Sequence, residues 1–151
     1  MTTSNGELVR RWFGEVWNKG DESAIDLLFA PDGVGHGLGD TEADVCGPEE
    51  LKPFVRNIRG ALPDVHISIE DMIEQGDKVM VRIILTGHHK GGGLGLPPTG
   101  RAVRIEGMVL LRCEQGKLVE GWNSWDQLGL LRQIGALPGA EQKDRFLTAQ
   151  Q

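Results

Sequence analysis

The chain is 151 residues long, with a formal net charge of -6 and a pI near 5.2. That length suits one domain with a sizeable core, and an acidic balance with scattered basic residues argues against nucleic acid or an anionic membrane surface as partner. The start, Met1 to Glu7, lacks the basic and apolar regions of a signal peptide, and no apolar run is long enough to span a bilayer. Cys46 and Cys113 are too few for a disulfide framework, so reduced thiols in a cytoplasmic protein are expected. Two absences narrow the chemistry. There is no tyrosine, so no phenol can serve as an oxyanion donor. His36, His66, His88 and His89 form no H-E-x-x-H, and with no paired C-x-x-C nothing at ligand spacing asks for a metal.

Ser4-Asn5-Gly6-Glu7 has the form of a capping box, and Leu8, Val9, Trp12, Phe13, Val16 and Trp17 follow at helical spacing up to Asn18-Lys19-Gly20. Trp12 and Trp17 suit a core, and either ring would also serve as a cavity wall. A shorter helix from Asp21 should carry Ala24, Ile25, Leu27 and Leu28 inward and end before the turn signal Pro31-Asp32-Gly33. The glycine-rich run from Val34 to Gly47 predicts a short strand around His36 and then a loop, on which His36 is either exposed or functional. Pro48 opens a third helix, Glu49 and Glu50 complement its dipole, and Leu51, Phe54, Val55, Ile58 and Leu62 make its apolar stripe up to Pro63-Asp64.

From Val65 the period becomes two. One strand runs to Gln75, turns at Gly76-Asp77, and returns as a second with Met80, Arg82, Ile84, Thr86 and His88 on one face. Val79, Val81, Ile83, Leu85 and His89 share the other face. Arg82 is then either a buried cation needing a partner or an outward residue on a half-solvated sheet. Lys90 to Arg101, with five glycines and Pro97-Pro98, is a long hairpin loop that does not match a phosphate loop, because a strand and not a helix follows. That strand runs from Ala102 to Cys113. After Gln115-Gly116 the last strand should place Leu118, Glu120, Trp122 and Ser124 on one face, with Asp126 at its end. Such a face borders either a ligand or, as an amphipathic edge with a solvated Glu120, plain water. Gln127 to Gly135 is a short amphipathic helix, and a polar tail from Pro138 to Gln151 should fray. Helices first and long strands afterwards give an α+β class, a single cone over residues 1–137 in which helices pack on a curved antiparallel sheet over a pocket.

Four stretches carry a resemblance: D-G-V-G-H-G at 32–37, A-L-P-D at 61–64, G-H-H-K-G-G-G-L-G-L-P-P-T-G-R at 87–101, and G-K-L-V-E-G-W-N-S-W-D-Q-L-G-L-L-R-Q-I-G at 116–135. In this order they resemble the SnoaL-like polyketide cyclases of the nuclear-transport-factor-2-like superfamily. The resemblance implies a cofactor-free, metal-free intramolecular aldol ring closure, with the acid/base aspartate carried onto Asp126. A carboxylate beside an apolar pocket has its pKa raised, which suits removing an acidic proton and returning one to an alkoxide. His36 and His89 fall on histidine positions common in the family and join Asp126 as catalytic candidates. Trp122, Arg82, Trp12, Glu106, Glu120 and Asn123 are the substrate-binding candidates. The family's cyclases also use a histidine on the strand that here spans Ala102–Cys113, which has none; Glu106 and Arg112 are its polar residues, a surface ladder being the plain alternative. The substrate implied is a bulky, largely apolar, polyketide-like carbonyl compound. Relatives of the fold also isomerise, hydrolyse epoxides, hydroxylate without cofactor, or only bind small molecules. A homodimer through the outer sheet face is implied as well, with which the apolar pattern of Val79, Val81, Ile83, Val109 and Leu111 is compatible.

Overall fold

The computed structural model describes residues 4–39 and 43–137. The tail expected from Pro138 onward and the middle of the expected 37–44 loop lie outside the described residues. Ser4 caps the first helix, α1 (Asn5–Arg11), its hydroxyl accepting the Glu7 N–H at 3.1 Å. The chain then continues as a π-helical stretch, Trp12–Asn18, which turns Trp12, Phe13, Val16 and Trp17 all into the interior. Asp21 caps α2 (Glu22–Leu28) through the Ser23 N–H. Ala24, Ile25 and Leu28 face the core, whereas Leu27, expected inside, is 57% exposed: at this helical spacing it falls on the opposite side.

Strand β1 (Phe29–His36) begins earlier than expected. Pro31-Asp32-Gly33 does not end it but bulges out, since Phe29 pairs with Leu118 and Val34 already with Glu120. A short β2 (Val45–Cys46) precedes α3 (Gly47–Ala61), where Leu51 and Val55 are buried and Phe54 and Ile58 half-buried. Then come β3 (His66–Gln75), β4 (Lys78–His88), β5 (Ala102–Glu114), β6 (Lys117–Trp125) and α4 (Gln127–Ile134). Gln115 and Gly116 both take positive φ in the turn before β6, at 50° and 76°, which the amide-bearing and glycine residues there tolerate.

These strands form one sheet in the order β2-β1-β6-β5-β4-β3. Every neighbouring pair is antiparallel except β1 and β6, which run parallel. The parity read for β4 holds. Val79, Val81 and Ile83 are fully buried under the helices, while Met80, Arg82, Ile84, Thr86 and His88 take the outer face. Val79, Val81, Ile83, Val109 and Leu111 therefore belong to the core and are not available to a second copy. Each such aliphatic side chain contributes about 1.5–3 kcal/mol when buried.

Parity in β6 differs from the simple alternation. Cys113 pairs with Leu118 but Arg112 with Glu120, so one extra residue is accommodated there as a β-bulge. Leu118 is buried; beyond the bulge, Gly121, Asn123 and Trp125 turn inward, and Glu120, Trp122 and Ser124 turn outward. Cys46 is exposed and Cys113 buried, both as free thiols, and burial pushes the Cys113 thiol up to about 11. Among the described residues no helix is long and apolar enough to cross a membrane.

Candidate functional site

A cavity of about 390 Å³ opens between the helices and the concave sheet face. Trp17, Phe54, Ile58 and Leu62 form its helical side, Leu85, Ile105 and Trp125 its sheet side, and Leu130 and Leu131 of α4 its third wall. Leu38-Gly39 and Gly93-Leu94-Gly95 form the rim, and Asn57 and Gln127 are its side-chain polar groups. Trp17 meets Phe54 edge to face at 6.0 Å. No side chain on this wall ionises. Gln127 ties the rim to α4, its Nε2 donating to the carbonyls of Gly39 at 3.1 Å and Leu38 at 3.5 Å.

Asp126 lies in the chain between two wall residues, Trp125 and Gln127, but is itself exposed and is not part of the cavity wall. The reason is local. Asp126 caps α4, with Oδ1 accepting the Gly129 N–H at 2.9 Å, and no hydrogen bond engages Oδ2 among the described residues. A carboxylate at a helix N-terminus satisfies otherwise unpaired backbone donors.

The other candidates are dispersed. His36, Glu120 and Trp122 come together, but on the outer face of the sheet. The His36 ring has Nδ1 at 2.8 Å from Asp44 and Nε2 at 2.7 Å from Glu120, and stacks on Trp122 with centroids 5.5 Å apart. Glu120 also accepts from Arg112 at 3.3 Å. With a carboxylate on each ring nitrogen, His36 is held as imidazolium: Glu120 foremost, and Asp44 with it, raises its pKa above the ordinary 6.5. The Glu120 carboxyl is correspondingly lowered, His36 being the main cause. Asn123 points inward and donates from Nδ2 to the His36 carbonyl at 2.9 Å, fixing β6 to the end of β1.

Arg82 lies on the outer face as well, bonded through Nε to Asp71 at 2.7 Å and through Nη1 to Glu106 at 3.4 Å. The surface ladder is thus Asp71–Arg82–Glu106, and Arg112 pairs with Glu114 and Glu120 rather than with Glu106. Trp12 is buried and stacked on Phe29 at 5.7 Å; it lines a second space of about 30 Å³ beside the main cavity, together with Asn123. His89 is wholly buried and absent from the main cavity wall; its Nδ1 lies 3.0 Å from the Thr99 hydroxyl. His88 bonds Asp64 at the surface, Nδ1 to Oδ2 at 2.6 Å.

Trp125, Gln127 and Leu94 are wall residues that pattern reading did not single out. Trp125 and Gln127 flank Asp126 in the chain, and that adjacency was the available signal. The β6 bulge, which decides that Trp125 and not Trp122 faces the cavity, has no marker in local alternation. Chemically, the arrangement offers an uncharged apolar chamber with two amides and rim backbone groups, and one exposed carboxylate, Asp126, next in the chain to two of its wall residues. Among the described residues, no three His, Cys, Asp or Glu side chains are grouped as metal ligands would be.

Comparison with known proteins agrees with this architecture. The model of the SnoaL-like polyketide cyclase family matches residues 7–134. The aklanonic acid methyl ester cyclase DnrD of Streptomyces peucetius is 28% identical over 130 residues, covering 85% of this chain and 89% of that protein. The nogalonic acid methyl ester cyclase of Streptomyces nogalater is 29% identical over 126 residues, covering 80% and 90%. The crystal structure of wild-type IdmH from Streptomyces antibioticus superposes with a TM-score of 0.77 at 26% identity, covering 88% of this chain and 99% of that one. With a family match over nearly the whole described chain and an apolar chamber walled in part by Trp125 and Gln127, the chain belongs to the SnoaL-like polyketide cyclase family and is an enzyme of cyclase type.

Proposed function

We propose that the protein closes a ring in a bulky, largely apolar carbonyl compound, by an intramolecular aldol step that uses no cofactor. The observation that supports this reading is the place of Asp126 in the chain, between the wall residues Trp125 and Gln127, with no hydrogen bond on Oδ2 among the described residues. A substrate held in the chamber with its activated carbon at the rim would give a proton to Asp126. The enolate carbon then attacks a carbonyl of the same molecule, a C–C bond forms, and the resulting alkoxide takes the proton back. Atoms are conserved, so the product is an isomer of the substrate. The Asn57 amide and the rim N–H groups are the donors at hand for the developing oxyanion, the Gln127 amide being tied to the Leu38 and Gly39 carbonyls. His36, Glu120 and Trp122 would then act at one remove, by holding β1 and β6 in place. Arg82, Glu106 and Trp12 would serve the scaffold.

A second reading has its own support. A chamber wall without any ionising side chain is what a small-molecule binding module requires, with polar groups only orienting the ligand. The two readings part in one experiment: the protein is titrated with polyketide-like β-dicarbonyl and anthraquinone-type compounds by heteronuclear NMR, and each mixture is analysed by mass spectrometry. Shifts at Trp125, Gln127 and Leu131 with an isomeric product are expected. Shifts without product would favour the binding module, and a gain of oxygen or of water would replace cyclisation by hydroxylation or hydrolysis.

We also assign the outer sheet face to a second copy of the chain. Met80, Met108 and Trp122 stand there 38%, 49% and 38% exposed, Met80 and Trp122 on either side of Leu110 across neighbouring strands, and exposed apolar residues so grouped suit a protein contact.

A further inference from the structure

The loop between β4 and β5 is attached to the fold in an uneven way. At its root, the His89 N–H donates to the Arg101 carbonyl at 2.9 Å and the Gly100 N–H to the His89 carbonyl at 2.7 Å. The His89 ring adds to this. Its Nδ1 accepts the Thr99 N–H at 3.3 Å, with the Thr99 hydroxyl 3.0 Å away, and the same hydroxyl accepts the Arg101 N–H at 3.3 Å. On the opposite limb, the N–H groups of Lys90 and Gly91 both donate to the Ala61 carbonyl at 3.1 Å, where α3 ends. Gly91 lies so close to the Gly60 carbonyl that a Cβ has no room.

Beyond these two anchors the attachment changes character. Residues 92–98 make no hydrogen bond among the described residues. What holds them down is apolar contact, Leu94 and Leu96 resting on the core, with Gly93-Leu94-Gly95 forming part of the cavity wall. Gly93 and Gly95 take positive φ, at 120° and 81°, so the tip has a shape that side-chain-bearing residues resist. Pro97-Pro98 stiffens the limb that returns to Thr99. One further group is out of balance. Among the described residues His89 Nε2 is buried without a partner, although with Nδ1 accepting the Thr99 N–H it is Nε2 that carries the ring hydrogen. Closing the loop therefore leaves a donor dry, and opening it would return that donor to water.

We propose that residues 91–98 are a lid over the cavity, that Leu94 is its plug, and that the His89–Thr99 contact is the latch whose release admits the ligand. His89 is on this account a positioning residue: it touches the lid root and not the ligand. The proposal rests on the cavity being the ligand site, and is independent of which reaction takes place there. It requires the loop to open as a unit, because among the described residues its hydrogen bonds are confined to the two roots and its middle is held by two leucines.

The test uses the intact protein, amide hydrogen exchange, and stopped-flow binding of N-phenyl-1-naphthylamine, an uncharged apolar dye. Thr99→Val removes the hydroxyl from an exposed position, so its fold should survive. His89→Ala removes the latch acceptor, and His89→Asn returns an acceptor where Nδ1 stood. Thr99→Val and His89→Ala should speed exchange at Gly91 and Gly100 together, and dye association and dissociation alike, by roughly five- to tenfold for the bonds lost. Equilibrium affinity should change far less, and His89→Asn should recover most of the wild-type rates. Faster exchange with unchanged binding rates would overturn the lid. Unchanged exchange in Thr99→Val would overturn the latch. Dye that fails to bind wild type and variants alike would overturn the cavity as ligand site and the lid with it, an outcome distinct from binding at unaltered rates.

Discussion

Asp126 carries two duties that one substitution pair separates. As the cap of α4 it satisfies the Gly129 N–H; as a carboxylate with Oδ2 unengaged it is the proposed proton carrier. Asparagine caps as well as aspartate, so Asp126→Asn should melt within a degree or two of wild type, while Asp126→Ala should lose about 1 kcal/mol by denaturant titration. Turnover should fall about 10²–10⁴-fold in both, with ligand affinity retained. If Asp126→Asn turns over normally, the acid/base role is refuted and the cap is all that remains. His36 gives a prediction in pH. Its contribution to stability is complete below its ordinary value of 6.5, and is lost as pH climbs through the raised native value. Glu120 contributes fully above its ordinary 4.5, and its share is lost as pH falls through the lowered native value. The clamp is thus at full strength between about pH 4.5 and 6.5. Thermal melts of wild type and His36→Gln should differ most near pH 5.5 and converge toward pH 9. A gap that widens with rising pH would show that the imidazolium is not the stabilising form.

Among the elements, the link between the π-helical stretch and the sheet edge is made by a single amide. Asn18 donates from Nδ2 to the Ile67 carbonyl at 3.0 Å and accepts the Ile67 N–H on Oδ1 at 2.7 Å. It thereby covers the two backbone groups of Ile67, near the start of β3, the edge strand of the sheet. An edge strand with such groups unpaired is a template for unwanted pairing. Asn18→Ala should cost about 1–3 kcal/mol, since two partly buried backbone groups lose their partner. Equilibrium urea unfolding would measure it, with an unchanged m-value indicating that the fold itself persists. A loss below a few tenths would mean that water replaces the amide without penalty.

For the whole molecule, the two faces of the sheet divide the work. The concave face holds the chamber, and the outer face shows Met80, Met108 and Trp122 beside the Asp71–Arg82–Glu106 ladder. On the proposed dimer, Met108→Glu, on the exposed outer face of β5, should shift the protein from dimer to monomer by light scattering after gel filtration. Its helix content should be unchanged. Wild type that runs as a monomer at high micromolar concentration would remove the dimer from the account.

Local pattern was enough for the order of the main helices and long strands, the capping box at Ser4, the start of α2 near Asp21, the faces of β4 and the family resemblance. These are carried by local chemistry and by period, both of which act over a few residues and leave a direct mark in the chain. The glycine-rich turn at Gln115-Gly116 was legible for the same reason. Which of the chemistry-bearing residues meet is settled by packing across the whole sheet. One extra residue in β6 turns Trp122 and Glu120 outward and Trp125 inward, and no alternation pattern announces a bulge whose cause lies in the register of the neighbouring strand. Arg82 and Glu106 sit on different strands, and only the pairing of β3, β4 and β5 makes them one ladder with Asp71. His89, inward by parity, ends at the root of a loop and off the chamber wall, because the two limbs of that loop close on it. Such contacts join residues far apart in sequence, and their geometry follows from the packing of the whole sheet rather than from any stretch of it.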